Sequence, residues 1–184
     1  FREEDYEKNP LEANLRAVKT EIQKAKEIAG GEGIIGVNIM VALTTFADLV
    51  KTSVSSGADI IFSGAGLPMD LPKLFQETCE EKKQEFRTKL VPIVSSGRAA
   101  ALIAKKWAAK TGLLPDAFVL EGPKAGGHLG FSRDDIFNAD FSLEKLVGGV
   151  VDAAKALEDK AGRAIPVICG GGVFSGEDIA RMIG

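Results

Sequence analysis

Histidine, cysteine and indole are scarce in this chain. Its 184 residues include one histidine, two cysteines, one tryptophan and one tyrosine. A lone imidazole leaves no basis for a His-based zinc site, which draws several ligands from a patterned cluster. Cys79 and Cys169 are far apart and lack metal-ligand spacing, so they are expected to be reduced, structural thiols. Charge of one sign is also missing: 23 Lys and Arg face 26 Asp and Glu, for a net charge of −3. Nucleic acids and anionic membranes call for clustered basic charge, so neither is an expected partner. No apolar run approaches the ~20 residues of a membrane span, and no signal peptide is visible. A cytoplasmic protein is the expectation. The sequence has no G-x-G-x-x-G after a strand and no G-x-x-x-x-G-K-[ST], which removes support for a dinucleotide or P-loop nucleotide fold.

What is present is a regular alternation of short β-branched runs with amphipathic stretches. Leu11, Leu15, Val18, Ile22, Ala25 and Ala29 recur at helical spacing. Asn9 caps that helix, Pro10 takes its first position and Glu12 sits three residues after the cap; Gly30 and Gly31 stop it. Strands are expected at 34–39, 59–62, 90–94, 117–120 and 165–169. Helices are expected from about Thr45, from Asp70 to about Gln84, from Arg98 to Lys110, from a Ser142 cap, and after a capping pair of Ser175 and Asp178. Residues 129–141 read as a polar loop over the active face. The strands are continuous apolar runs, the pattern of strands buried on both faces of a parallel sheet with helices outside. About five βα units are counted, each followed by glycine or small polar residues. In a (β/α) barrel these clusters gather on one rim; a doubly wound open sheet fits the alternation too.

The densest cluster runs from Glu121 to Gly130, where four glycines and His128 share ten positions after a buried strand. Glycines let the backbone approach a flat ligand and expose N–H groups, and a histidine exchanges protons near neutral pH. A turn histidine satisfied by backbone groups is the plainer reading. Gly170-Gly171-Gly172 ahead of Ser175 suits phosphate binding, or is simply a tight strand-to-helix turn. Asn38 interrupts an apolar strand, and a buried amide there needs hydrogen-bond partners from backbone, water or ligand. Ser63-Gly64-Ala65-Gly66 and Ser95-Ser96-Gly97 either line the same pocket or are strand-ending turns.

Taken together, Gly36-Val37-Asn38-Ile39-Met40, Ser63 to Gly66, Val91 to Val94, Glu121-Gly122 with Ala125-Gly126-Gly127-His128, and Pro166-Val167-Ile168 with Gly170 to Gly172 resemble the nitronate monooxygenase (2-nitropropane dioxygenase) family. That family includes FMN-dependent enoyl-acyl-carrier-protein reductases. The resemblance runs from about Pro10 to the end, and the A-G-G-H segment is its most specific part. It implies a TIM (β/α)8 barrel, partial here. Residues 1–184 would be a single FMN-binding domain lacking the first strands and the last βα unit. It also implies an FMN-dependent oxidoreductase. Asn38 and Glu121 would bond the flavin ring or ribityl chain, Gly126 and Gly127 would pack against FMN, Gly171 and Gly172 would hold its phosphate, and His128 would be the catalytic residue facing the substrate. The implied substrate is an alkyl nitronate, or an enoyl thioester with NAD(P)H as electron donor, in a homodimeric protein. A flavin- or phosphate-binding module without catalysis, and a different phosphate-binding barrel enzyme, are the competing readings. Lys124 stands where the family is usually acidic. Glu121 stands where nitronate oxidisers often have Gln, and resembles the enoyl reductase branch.

Overall fold

Local chemistry sets the element boundaries. In the computed structural model, which describes residues 3–183, the order is α1 (Glu3–Lys8), α2 (Pro10–Ile28), β1 (Gly36–Met40), α3 (Phe46–Ser55), β2 (Ile60–Gly64), α4 (Leu71–Lys82), β3 (Lys89–Val94), α5 (Gly97–Thr111), β4 (Phe118–Glu121), α6 (Leu143–Ala161), β5 (Val167–Gly170) and α7 (Gly176–Ile183). The Asn9 side chain accepts from the Glu12 backbone N–H at 3.2 Å and donates to its carboxylate at 3.2 Å, which fixes the start of α2. Ser96 caps α5 by accepting from the Ala99 N–H at 3.2 Å. Ser142 occupies the cap position of α6, but its hydroxyl makes no capping bond. Helix α1, short and highly charged, has no apolar period that would announce it.

The five strands form one parallel sheet in the order β1-β2-β3-β4-β5. A doubly wound sheet reverses its order at a switch point, and this one does not. Right-handed crossovers between strands in unreversed order put every helix on the same face. The helices pack in matching succession, α2 on α3 through to α6 on α7. The arrangement is a sector of a (β/α) barrel. Ile39, Ile61, Leu90, Phe118 and Leu120 point outward and are buried with Val50, Ile103, Trp107 and Val150 of the helices. Asn38, Phe62 and Val91 share the inner face by register, as do Ile93, Val119 and Ile168. Burial on both faces, expected for every strand, holds only in the middle of the sheet. Val91 is buried, whereas Asn38 on β1 and Ile168 on β5 are exposed.

Two aspartates clamp the strand starts. The Asp59 carboxylate accepts the Ile35 N–H at 2.9 Å and the Lys26 ammonium at 3.1 Å. One βα unit pair later, Asp116 accepts the Leu90 N–H at 2.9 Å and pairs with Lys89 and Arg163 at 3.2 and 2.9 Å. At the opposite end, the buried Trp107 indole donates to the Pro68 carbonyl at 2.9 Å, tying α5 to the β2–α4 turn. Helices α5 and α6 meet where Gly97 faces Gly149. Cys79 on α4 and Cys169 on β5 are free. No helix among the described residues is long and apolar enough to cross a membrane.

Candidate active site

The C-terminal strand ends enclose a cleft of about 300 Å³, lined by Ala65, Gly66 and Leu67 after β2, Ile93 to Ser95 at the end of β3, Ala99 of α5, Glu121 of β4, and His128 to Gly130. The volume is at the lower end of ligand sites, ~300–1,000 Å³. Its walls are mostly apolar, with Ser95, Glu121 and His128 as polar groups. The β2–α4 turn is under backbone tension there: Ala65 has φ 53°, a region that side chains other than glycine occupy at a cost. Gly66 has φ 129°, and a Cβ there would meet the Val41 side chain at 3.2 Å.

Glu121 is the last residue of β4 and belongs to its inner face. Its half-buried carboxylate makes no hydrogen bond or ion pair among the described residues, and burial pushes its pKa above the ordinary carboxylate value. His128, seven residues on, is exposed on the other wall of the cleft. No backbone or side-chain group among the described residues bonds its imidazole, which is open to solvent. The loop from Gly130 to Ser142 folds over this end through two short 3-10 turns, 135–137 and 139–141. The Ser95 hydroxyl donates to the Gly130 carbonyl at 3.4 Å, and Phe131 meets Phe141 edge-to-face at 6.0 Å.

The β5 turn lies on the same rim. Glu121 pairs in register with Gly170, and the Gly122 N–H donates to the Gly170 carbonyl at 3.0 Å. Gly171 and Gly172 have φ 90° and 91°, and a Cβ on Gly171 would fall 2.5 Å from the Ala125 nitrogen. The 122–128 loop therefore packs directly on the triple glycine. Gly126 and Gly127 face open space where a Cβ would be, and Gly127 has φ 81°.

Asn38 stands apart from this group. It is exposed on the inner face in the middle of β1, makes no side-chain hydrogen bond among the described residues, and lines the groove between α2 and β1. Of the small-residue clusters, Ala65, Gly66 and Ser95 reach the cleft, while Ser63 is buried on the outer face and donates to the Ile39 carbonyl at 2.9 Å. Leu67 and Ala99 are cleft walls that the sequence reading passed over, because isolated apolar residues carry no local signal of a site.

These residues fit FMN. A flat ring needs backbone without side chains, which Gly126 and Gly127 provide. A phosphate needs free N–H groups in a tight turn, which Gly171 and Gly172 are placed to offer. A half-buried carboxylate lacking a partner needs a donor.

None of the curated protein sequences matches the chain significantly. Among solved structures, FabK from Thermotoga maritima has a similar fold, with a TM-score of 0.61 and 25% identity over 90% of this chain and 43% of that one. A single-substitution mutant of the same FabK aligns with a TM-score of 0.62 and 24% identity over 90% of this chain and 46% of its own length. The chain thus spans less than half the length of these structures. The family model for nitronate monooxygenase matches residues 4–184, nearly the whole sequence. With the rim geometry and this match together, the chain belongs to the nitronate monooxygenase family.

Proposed function

We propose that this chain is the flavin-holding sector of an FMN-dependent oxidoreductase that acts on alkyl nitronates. The observation that carries the reading is the gathering of Glu121, His128, the open Gly126-Gly127 backbone and the Gly171-Gly172 turn at one end of the sheet. Gly126, Gly127 and Glu121 would lie against the flavin ring, and Gly171 and Gly172 would hold the phosphate. Asn38, on the inner face, is assigned to the ring or ribityl chain. FMN, when bound, supplies the electron exchange with substrate and oxygen. His128 does the proton work: its imidazole takes the α-proton of a neutral nitroalkane or holds the nitronate anion. Leu67, Ile93 and Leu129 give the cleft the apolar walls that strengthen such electrostatic contacts.

One observation favours a second reading. Glu121 resembles the enoyl reductase branch of the family, and FabK is among the solved structures of similar fold. In that version NAD(P)H is the electron donor, the substrate is an enoyl thioester, and His128 steers its carbonyl or a proton.

The visible spectrum of the purified protein tests the cofactor; flavin bands released as FMN on denaturation are expected. Turnover is then compared between an alkyl nitronate with oxygen and reduced nicotinamide with an enoyl thioester. A colourless protein would sink both readings. A yellow protein inert in both assays would make this a flavin-binding module without catalysis.

A further inference from the structure

The turn after β5 leaves backbone donors unused. The N–H groups of Gly171, Gly172 and Val173 make no hydrogen bond among the described residues. The next two N–H groups, of Phe174 and Ser175, are taken by the Asp178 carboxylate at 3.0 and 2.9 Å. The chain's own anion therefore already occupies the start of α7, and the helix end is not free for a ligand. Gly171 and Gly172 take successive positive φ values of 90° and 91°, and unused N–H groups of consecutive turn residues are the kind of donor that anions take.

The stem of a lysine lies against that turn. The aliphatic stem of Lys124 crosses Gly172 so closely that a Cβ there would fall 3.0 Å from its Cδ and 3.3 Å from its Cβ. Lys124 is exposed, and its ammonium makes no hydrogen bond or ion pair among the described residues.

We infer that Lys124 is a phosphate-recognition residue, its ammonium completing with the Gly171–Val173 N–H groups a site for the phosphate of the bound flavin. The inference rests on the flavin reading above and adds to it a residue drawn from the opposite loop. An ammonium is a compact point charge that serves a phosphate without the fixed geometry a guanidinium demands. The site would therefore select the phosphorylated flavin over the free one. An anionic group on the substrate is the other source of the same charge.

Titrating the wild type, K124M and K124R with FMN and with riboflavin, followed by flavin fluorescence, separates these cases. K124M is expected to weaken FMN by about fivefold, the size of a solvent-reached ion pair, and to leave riboflavin unchanged. K124R should retain most of the FMN affinity, and the salt dependence of FMN binding should flatten in K124M. Equal losses for both flavins, or unchanged FMN affinity with a raised KM for an anionic substrate, would overturn the assignment. A wild type that binds riboflavin as tightly as FMN would also overturn it while leaving the flavin reading intact. If neither flavin binds, the flavin reading fails. Inorganic phosphate then tests Lys124 alone: it should shift the amide resonances of Gly171–Val173 in the wild type and not in K124M, and an absence of shifts would refute the site.

Discussion

Replacing Gly97 by alanine is expected to cost this protein far more than its position at a helix start suggests. A Cβ built on Gly97 lies 2.2 Å from the Gly149 carbonyl oxygen and 2.5 Å from its carbonyl carbon. Unstrained contacts between carbon atoms sit near ~3.5 Å, so α5 and α6 must separate by about 1 Å. The obstacle is backbone, which has no rotamer to escape into. Overpacking of this kind costs roughly 1–3 kcal/mol, and this contact belongs at the upper end. For a chain of this size that is a fall in Tm of about 5–10 °C. The opposing glycine supplies the control. A Cβ on Gly149 would be 4.0 Å from the Gly97 backbone, which is ordinary contact. G149A gains helix propensity of up to about 1 kcal/mol and should melt a few degrees higher. Thermal unfolding followed by circular dichroism reads both. The reasoning fails if G97A melts within a degree of the wild type, or if G149A falls as far as G97A does.

Other outcomes are expected at the rim and at the strand starts. H128A should retain its flavin and lose about 10²- to 10⁴-fold in turnover, as removal of a proton-exchanging group does; unchanged steady-state turnover would take His128 out of the chemistry. Burial raises the Glu121 pKa, so the folded state binds its proton more tightly than the unfolded chain, and stability falls as pH rises through that window. E121Q should therefore be more stable than the wild type at neutral pH and equal to it well below the ordinary carboxylate range; denaturant melts with parallel pH dependence for the two would contradict this. Asp59 shifts the other way, held low first by the Ile35 N–H and then by Lys26. Its stabilisation is present above the unfolded carboxylate value and is lost as pH falls through the folded one. D59N should remove that part of the acid limb, and an unaltered acid profile would show the clamp to be idle.

The fold was legible wherever a local rule had no competitor. Asn9 with Glu12, and Ser175 with Asp178, formed the bonds their spacing promised. Ser142 did not, although it sits at the right position, because a cap residue is chosen by backbone angle and its hydroxyl need not turn inward. The alternation of strands and helices left the barrel and the doubly wound sheet equally open. Strand order separated them, and no periodicity encodes strand order. At the site, the Glu121–His128 and Gly170–Gly172 segments were found by glycine density and did come to one rim. Asn38 was expected in a buried strand and is exposed, since β1 has a strand neighbour on one side only among the described residues. Asp59 and Asp116 escaped notice because a lone aspartate before a strand looks like any turn residue. Their use as acceptors for the preceding strand's N–H is a tertiary fact.

The bond from Trp107 to Pro68 makes the chain its own reporter. Trp107 is the only tryptophan in the sequence, so all indole emission comes from one spot beneath the Ala65–Leu67 wall. Any event that pulls that wall away from α5 breaks the indole's hydrogen bond and admits water, and the emission moves to the red without a label having been attached. Opening of the cleft and unfolding of the core can then be told apart in one fluorimeter: the first alters the colour of the emission while the far-ultraviolet dichroism of the helices stays fixed, and the second changes both.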